Sequence, residues 1–340
     1  MRMRGAGTLR SGIRRVSNLI RSRAIILLYH RIGNVRPDPQ LLCVTPAHFA
    51  QHLEHLRRHF RPTSLHILEQ ALGGGEVPHK GVVVTFDDGY ADNLRNAKPL
   101  LESYNVPATV FVTSGYVGRD REFPHDRLER CLLQQRTLPD SLTLAIDGRT
   151  YSWQIGGFKD DVGAWNVLTG SYPSLRHLCY CELHRLLRPL NDESRQLVLN
   201  ALANWSSCPT DARPDRRALN EEELRTLSED GLVEIGAHGV NHLVLAAQPV
   251  EAQWKEINES RRHLESILGR PVTTFSYPYG GSEDINETTV ELVKKAGFNV
   301  ACANISAPVT VRSDLFRLPR FLVRDWDGQE FGKRLKRAFC

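Results

Sequence analysis

The sequence predicts an α/β protein whose parallel strands form a sheet or a barrel surrounded by helices. Short, fully apolar runs of the kind found in buried parallel strands recur along the chain. Amphipathic segments with helix-capping residues lie between these runs, which favours strand–helix alternation. The chain of 340 residues is long for one core, but such barrels reach this size as a single domain with insertions.

The elements follow from local pattern, taken in chain order. Strands are predicted at the apolar runs 24–29, 81–86, 108–112, 232–235, 273–277 and 300–303. Helices are predicted where apolar residues recur at steps of three and four behind a capping residue. They open at Thr45-Pro46, at Asn220, at about Pro249 and at about Asn286, and the last three end at Gly231, Gly269 and Gly297.

The middle of the chain interrupts this alternation. Residues 142–153 alternate around an Asp-Gly turn, which predicts a β-hairpin, and a Leu- and Arg-rich helical stretch follows from about Ser174 to Trp205. We interpret residues 119–216, approximately, as an insertion that forms a lid or subdomain beside the active site. The remaining organisation is a basic helical extension at 1–23 and a barrel at 24–340 that carries the insertion.

Charge and cysteine usage limit the partners and the compartment. The net charge is +5, and residues 1–23 contain seven arginines and no acid. This segment is either a solvated extension or a basic amphipathic helix in peripheral contact with an anionic membrane. No basic stripe with interleaved aromatics appears elsewhere, which argues against nucleic acid as a partner. The seven scattered cysteines predict reduced thiols in the cytoplasm, with a peripheral location at the inner membrane face as the variant.

A metal knuckle at the closely spaced Cys179 and Cys181, with His177 and His184 nearby, is a weak alternative. Structural zinc sites usually leave two to four residues between paired cysteines.

The more informative polar residues follow the apolar strands. Asp87 and Asp88 come directly after the second predicted strand, at the end where parallel barrels build their active sites. The two neighbours point in different directions, so they can take different roles.

His238 and His242 follow the fourth predicted strand in the same way. A His-x-x-x-His spacing brings both imidazoles to one side if the backbone turns helically, which suits two ligands of one metal. Ligands of Asp and His type with an open position are typical of a catalytic, zinc-like site. A third turn, around Tyr279, follows the next strand and exposes backbone N–H groups that could face a developing oxyanion.

These motifs together resemble the polysaccharide deacetylase family, also called carbohydrate esterase family four. The resemblance uses Thr-Phe-Asp-Asp-Gly at 85–89, His-x-x-x-His at 238–242 and Tyr-Pro-Tyr-Gly at 277–280, in the order of the family. It covers nearly the whole chain outside the insertion. It implies a distorted (β/α) barrel with an inserted lid or subdomain, and an enzyme that hydrolyses amide bonds.

The resemblance also implies roles for individual residues. Asp88, His238 and His242 would bind one divalent metal ion, with zinc the expected metal. Asp87 would act as the general base that takes a proton from the attacking water, and the backbone N–H of Tyr279 would help to stabilise the oxyanion. These roles agree with the chemistry, because a base must remain ionised and outside the metal's ligand set.

The sequence departs from the family at three places. Ser276 stands where many relatives have an arginine that orients the base, and Arg320 is a candidate to supply that cation. Arg324-Asp-Trp326 lacks the first aspartate of the family's fourth motif and is left out of the site. The C-terminal Leu-x-Leu-His motif is missing, but Leu27-Leu-Tyr-His30 matches it at the front of the chain. A closed barrel permits this permutation, so His30 is the predicted general acid.

The function that these residues and the family resemblance imply is metal-dependent removal of N-acetyl groups from amino sugars. The substrate is an oligosaccharide, a polysaccharide or a lipid-linked precursor, as in exopolysaccharide biosynthesis. One alternative is a deformylase or amidase that acts on another N-acyl group. Another is a catalytically silent glycan-binding module, which loss of the metal ligands or the base would favour. The sequence does not identify the oligomeric state.

Overall fold

A curled sheet of parallel strands forms a half-barrel at the centre of the molecule, as the predicted fold class requires. The structure is a computed structural model and describes residues 23–157 and 165–339. Its strands are β1 (Ala24–Tyr29), β2 (Arg31–Ile32), β3 (Cys43–Val44), β4 (Arg61–Pro62), β5 (Gly81–Phe86), β6 (Ala108–Val112), β7 (Ser141–Ile146), β8 (Arg149–Gln154), β9 (Val233–Ala237), β10 (Thr274–Ser276), β11 (Val300–Cys302) and β12 (Phe321–Leu322).

The central sheet runs in the order β11-β10-β9-β6-β5-β1-β12, and β4 pairs with the start of β5. The first and last strands of the chain are neighbours, since Leu27 pairs with Phe321 in parallel register. A parallel bridge between Cys302 and Leu318 links the far edge to the segment that leads into β12. The carboxyl ends of the strands therefore meet around one rim.

Helices cover the outside of this sheet and form most of the insertion. They are α1 (Pro46–His59), α2 (Leu65–Gly73), α3 (Lys98–Tyr104), α4 (Pro124–Glu129), α5 (Leu175–Leu187), α6 (Asp192–Ser206), α7 (Glu221–Leu227), α8 (Val250–Leu268), α9 (Glu287–Lys295) and α10 (Gly328–Phe339). Their starts follow the predicted caps. Thr45 caps α1 ahead of Pro46, and Asn220 and Glu223 form a reciprocal capping box at α7.

The strands that support the rim are buried along their whole length. All residues of β1, β5 and β6 are buried, because helices cover one face and the barrel interior covers the other. These three strands contain no charged residue, so charged side chains and imidazoles lie only where the strands end. This is why the residues directly after β1, β5, β9 and β10 supply the polar groups of the rim.

The insertion has a hydrophobic core of its own. The hairpin β7–β8 packs with α4, α5 and α6 around apolar side chains that include Leu142, Trp153, Tyr180, Leu183 and Leu199. The helical stretch predicted from Ser174 to Trp205 is two helices, because the chain breaks between Leu187 and Asp192 around Pro189. Proline lacks the N–H that a continuous helix would need at that position.

Three further observations concern membrane-spanning helices, the N-terminal segment and the cysteines. No helix in the described ranges is long and apolar enough to cross a bilayer. Residues 1–22, which make up nearly all of the predicted basic extension, lie outside the described residues. Six of the seven cysteines are described, and each of these six is a free thiol.

Candidate metal centre at the barrel rim

Asp87 and Asp88 begin the loop that follows β5, and both are buried. The N–H of Asp87 donates to the carbonyl of Tyr29 at 3.0 Å, which continues the strand pairing by one residue. Asp88 then adopts a left-handed conformation with φ of 76°, and Gly89 follows with φ of 79°. This sharp turn separates the two carboxylates, so that they face different partners.

The loop after β9 brings His238 and His242 together without forming a helical turn. Gly239 has φ of 72° and His242 has φ of 58°, so the expected helical route between the two imidazoles is wrong. The carboxylate of Glu256 holds the loop, accepting hydrogen bonds from the N–H groups of Val240 at 2.9 Å and Asn241 at 2.8 Å. The imidazoles converge because this carboxylate fixes the loop between them.

Arg195 of the insertion supports the same loop, and the sequence analysis did not predict this role. Its side chain is fully buried, and it donates to the carbonyls of His242, at 3.0 Å, and Asn241. One signal could have identified it. Arg195 lies three and four residues before the buried Val198 and Leu199, so it occupies the apolar face of α6. An arginine at such a position needs buried acceptors.

The side chains of Asp88, His238 and His242 form a compact group of potential metal ligands. Their ligand atoms all lie within 4.8 Å of one another. Oδ1 of Asp88 lies 3.3 Å from Nε2 of His242 and 3.6 Å from Nε2 of His238. This buried oxygen has no partner with the geometry of a hydrogen bond. A buried carboxylate oxygen left in this state fits a cation between the three residues.

The tautomer of His238 is fixed in the form that a metal needs. Its Nδ1 donates to the backbone carbonyl of Ser276 at 2.8 Å, because a carbonyl oxygen can only accept. The lone pair is therefore on Nε2, the atom that faces Asp88. Metal-binding histidines generally donate their other ring N–H to a carbonyl or carboxylate in this way.

Asp87 is held outside this group by Arg320. The guanidinium forms a bidentate pair, with Nη1 to Oδ1 and Nη2 to Oδ2 both at 2.7 Å. Ser276 completes the arrangement, since its hydroxyl accepts from Arg320 at 2.8 Å and donates to Asp87 at 3.2 Å. Arg320 is buried, and it supplies the cation for which the sequence offered only a candidate.

The pKa of Asp87 follows from this pairing. Burial alone would raise it, but the charge and hydrogen bonds of Arg320 hold the pKa below its ordinary value. The carboxylate is therefore ionised at neutral pH. His238 also lies nearby, with Nε2 at 3.8 Å from Oδ2 of Asp87.

Tyr279 lies in the turn after β10 and also has left-handed backbone, with φ of 61°. The turn is held by two hydrogen bonds of Gly280, whose N–H donates to Pro278 and whose carbonyl accepts from Asn304, both at 2.7 Å. Asp88, His242 and Tyr279 thus share a conformation that costs a non-glycine residue on the order of 1–2 kcal/mol. Such strain clusters at functional sites because the surrounding structure must maintain it.

His30 follows β1 and reaches the same rim. It lines a cavity of about 250 Å³ together with Asp87, Asp88, His238, His242 and Tyr279, so the structure brings all six predicted site residues together. Burial lowers the pKa of His30 to about 4, against the raising effect of Asp88 and Asp87. The insertion contributes His125, His184 and Arg188 to the same cavity, which agrees with an insertion beside the site.

The alternative knuckle at Cys179 and Cys181 gains no support. Across residues 23–157 and 165–339, the group formed by Asp88, His238 and His242 is the one cluster of three or more His, Cys, Asp or Glu with a metal-binding spacing. Cys179 packs in the core of the insertion, whereas His184 faces the cavity at the rim.

The fold and site define a class of protein: a (β/α) barrel with a buried Asp-His-His group at the carboxyl ends of its strands, able to bind a metal.

Comparison with known proteins identifies the family within this class. The family model for polysaccharide deacetylase matches residues 74–139 and 200–301. The chain belongs to the polysaccharide deacetylase family. The two matched segments flank most of the insertion, so the family pattern is carried by the barrel and its rim.

Curated sequence relatives resemble the chain over much of its length. The chain is 21% identical over 263 residues to poly-beta-1,6-N-acetyl-D-glucosamine N-deacetylase of Staphylococcus aureus. The aligned region covers 75% of this chain and 61% of the relative. The chain thus spans about three fifths of the length of these curated relatives.

Two solved structures show the same fold. The deacetylase PplD of Streptococcus pyogenes, in complex with acetate, has a TM-score of 0.58 at 17% identity, covering 94% of this chain and 99% of that one. IcaB from Ammonifex degensii has a TM-score of 0.56 at 19% identity, covering 94% of this chain and 98% of that one.

Proposed function

We propose that this protein is a metal-dependent hydrolase that removes N-acetyl groups from amino sugars during exopolysaccharide biosynthesis. The substrate would be a glycan related to the poly-N-acetylglucosamine named for the staphylococcal relative, or a lipid-linked precursor of one. The observation that supports this most strongly is the division of the two adjacent aspartates. Asp88 faces the two imidazoles, while Arg320 pairs with both oxygens of Asp87.

Asp88, His238 and His242 would hold the metal, and zinc suits this combination of one carboxylate and two imidazoles. A bound divalent cation would supply Lewis acidity toward the amide carbonyl and would favour ionisation of a water molecule near neutral pH. The residues fit this ion because they are buried, close together and only partly satisfied by hydrogen bonds.

Asp87 would then act as the general base toward the attacking water. Arg320 and Ser276 orient its carboxylate and keep it ionised, at the expense of some basicity, because both of its oxygens accept hydrogen bonds. The backbone N–H of Tyr279, presented by the strained turn after β10, would donate to the oxyanion that develops on the substrate carbonyl.

His30 would donate a proton to the departing amine. Its position supports this role because it ends β1 at the rim, in the same cavity as Asp87. The pairing of β1 with β12 also supports the permutation that the sequence suggested, since the front and back of the barrel strands are adjacent. Because His30 is only partly buried, the imidazole would take up a proton from solvent as negative charge develops on the substrate, and would pass it to the amine nitrogen as the C–N bond breaks.

The reaction can be tested with the purified full-length protein and added zinc. Acetate released from N-acetylglucosamine oligomers would be measured beside formate released from the matching N-formyl oligomers, with and without a chelator. We expect chelator-sensitive acetate release. Formate release with little acetate would instead indicate the deformylase alternative. A lack of hydrolysis with retained oligomer binding would indicate a silent glycan-binding module.

We also propose a cytoplasmic location, with peripheral contact to the inner membrane face through the basic N-terminal segment. Free thiols at the six described cysteines support a reducing compartment. Binding to anionic vesicles at low salt, compared between the full chain and a chain without residues 1–20, tests the membrane contact. Equal binding by both forms would contradict it.

A further inference from the structure

A second, larger space opens beside the catalytic cavity. It is a groove of about 860 Å³ between β12 and α10, within the size range of sites for organic ligands. Its walls are mainly apolar and include Phe321, Val323, Trp326, Phe331 and Leu335. Asn304, Leu322 and Arg324 line both spaces, so the groove and the catalytic cavity are adjacent.

Arg324 lies at the junction between the two spaces. Its Nη1 donates to the backbone carbonyls of Gln40 and Leu41, and no carboxylate of the described residues lies within ion-pair distance of it. Asp38 acts on it electrostatically, but the oxygens of Asp38 accept from the N–H groups of Leu42 and Cys43. A partly buried guanidinium without a paired carboxylate favours an anionic ligand.

Most of the charged side chains around the groove are arginines. Arg334 and Arg337 of α10 also line it, although Arg334 shares its charge with Glu330 at 2.7 Å. One carboxylate lines the groove, that of Asp325, and its Oδ1 accepts from Thr45 and His48. The groove therefore combines apolar walls with the guanidinium groups of Arg324, Arg334 and Arg337.

The outer border of the groove is apolar as well. Leu168 of the insertion lines it and is 69% exposed. An exposed leucine at the mouth of an apolar groove is suited to contact with a hydrocarbon chain or a membrane surface. A polysaccharide strand carries hydroxyl groups along its length, for which these mainly aliphatic and aromatic walls offer few hydrogen-bonding partners.

We propose that the substrate is an N-acetylated amino sugar joined through a phosphate to a hydrocarbon chain. The sugar occupies the catalytic cavity, the phosphate binds at Arg324 and the chain lies in the groove. This inference rests on the proposed function, since it assigns the carrier of the sugar that is deacetylated. It selects the lipid-linked precursor over the finished polymer as the substrate.

Binding to the full-length protein without metal tests the groove independently of catalysis. Equilibrium dialysis would compare farnesyl phosphate, farnesol and inorganic phosphate. We expect farnesyl phosphate to bind roughly tenfold or more tightly than either of the others, because it alone engages both the walls and Arg324. Equal affinity for farnesol, or binding that requires removal of residues 1–22, would overturn the proposal. The second result would make that segment the occupant of the groove.

A variant pair tests the location of the chain. Ser306 is exposed at the groove, so Ser306→Trp fills it from the surface, whereas Ser152→Trp places the same side chain on the exposed face of the distant hairpin. Farnesyl phosphate should bind Ser306→Trp roughly tenfold or more weakly and Ser152→Trp normally. Equal binding by the two variants would show that the chain lies elsewhere.

Acetate release separates this proposal from the proposed function. The substrates are farnesyl-phosphoryl N-acetylglucosamine and an N-acetylglucosamine oligomer without lipid. We expect a kcat/KM ratio of roughly tenfold or more in favour of the lipid-linked sugar, reduced in Ser306→Trp and in Arg324→Gln. Equal turnover of both substrates would overturn the groove assignment and leave the function intact. Acetate from neither would reject the function, while dialysis still decides the groove.

Discussion

Two buried carboxylate–arginine groups, one at the barrel rim and one within the insertion, have opposite effects on the pKa of their carboxylates. At the rim, Arg320 matches each oxygen of Asp87 with one nitrogen, both at 2.7 Å. Within the insertion, Glu129 accepts from Arg213 at 3.0 Å through one oxygen, and its other oxygen has no hydrogen-bond partner. The pKa of Asp87 is lowered, whereas that of Glu129 rises to about 7.

The difference comes from how the arginines are shared. Arg320 faces one carboxylate, whereas Arg213 pairs in a bidentate manner with Glu122 and Arg216 pairs with Asp126 at 3.1 Å. Glu129 accepts a single hydrogen bond from Arg213, so burial outweighs the attraction of the arginines and raises the pKa of Glu129. Burial alone does not decide the charge of a carboxylate. The number of cations that pair with the carboxylate also decides its charge, and at the rim Asp87 has one arginine to itself.

The largest expected effect comes from removing a metal ligand at the rim. His238→Ala or His242→Ala should remove the metal and abolish deacetylation, because each substitution leaves two ligands where a stable site needs three. Elemental analysis and acetate release check both losses. His184→Ala is the matched control, since His184 lines the same cavity outside the ligand group and its loss should leave the metal in place. Full metal occupancy in both ligand variants would reject the site.

A smaller effect is expected from the proton donor. His30→Ala should retain the metal and the fold but lose about two to four orders of magnitude in turnover, the usual range for removing a catalytic acid. Elemental analysis, thermal melting and kcat check the three expectations. Near-normal turnover across about pH 6 to 9 would show that another group donates the proton.

A substitution at Arg320 sharpens the comparison between the two carboxylates. Arg320→Lys keeps the charge but loses the bidentate geometry, so the pKa of Asp87 should rise toward that of a less well-paired carboxylate. Because the base must be ionised, the acidic limb of kcat/KM should move to higher pH by about one unit. Ser276→Ala, which removes a single longer hydrogen bond, should move the limb less. An unmoved limb in Arg320→Lys would separate Arg320 from the base.

The smallest expected effect concerns Glu129 within the insertion and changes stability alone. The pKa of Glu129 in the folded protein, about 7, exceeds its ordinary 4.5, so its contribution is present below pH 4.5 and is lost as the pH rises through 7. The loss is on the order of 3 kcal/mol. In Glu129→Gln this dependence should be absent. Urea denaturation at both ends of the range measures it, and an identical slope in wild type and variant would contradict the comparison.

The sequence predicted the parts of the molecule that depend on local pattern. The strands at 24–29, 81–86 and 108–112 have the predicted bounds, because buried parallel strands are continuous apolar runs. The two-residue strands β2, β3 and β12 could not be predicted, since they exist through pairing between distant segments and are too short to show a period. The helix opening at Asn220 ends at Leu227, well before Gly231.

The rim shows the same division. The positions of Asp87, Asp88, His238 and His242 could be predicted, because each follows an apolar strand and parallel strands end at one rim. The partner of Asp87 could not be derived from pattern, since Arg320 is 233 residues away and belongs to no periodic segment. The non-helical loop between the histidines, held by Glu256, was equally invisible because it depends on tertiary contacts.

The central claim is that the two adjacent aspartates have different roles. Metal content of Asp87→Asn and Asp88→Asn, purified in parallel and measured by elemental analysis, tests it most directly, because the two variants differ only in which neighbour loses its charge. We predict about one divalent ion per chain in Asp87→Asn, with turnover lost, and little or no metal in Asp88→Asn. Loss of metal in Asp87→Asn with retention in Asp88→Asn would contradict the assignment of both residues.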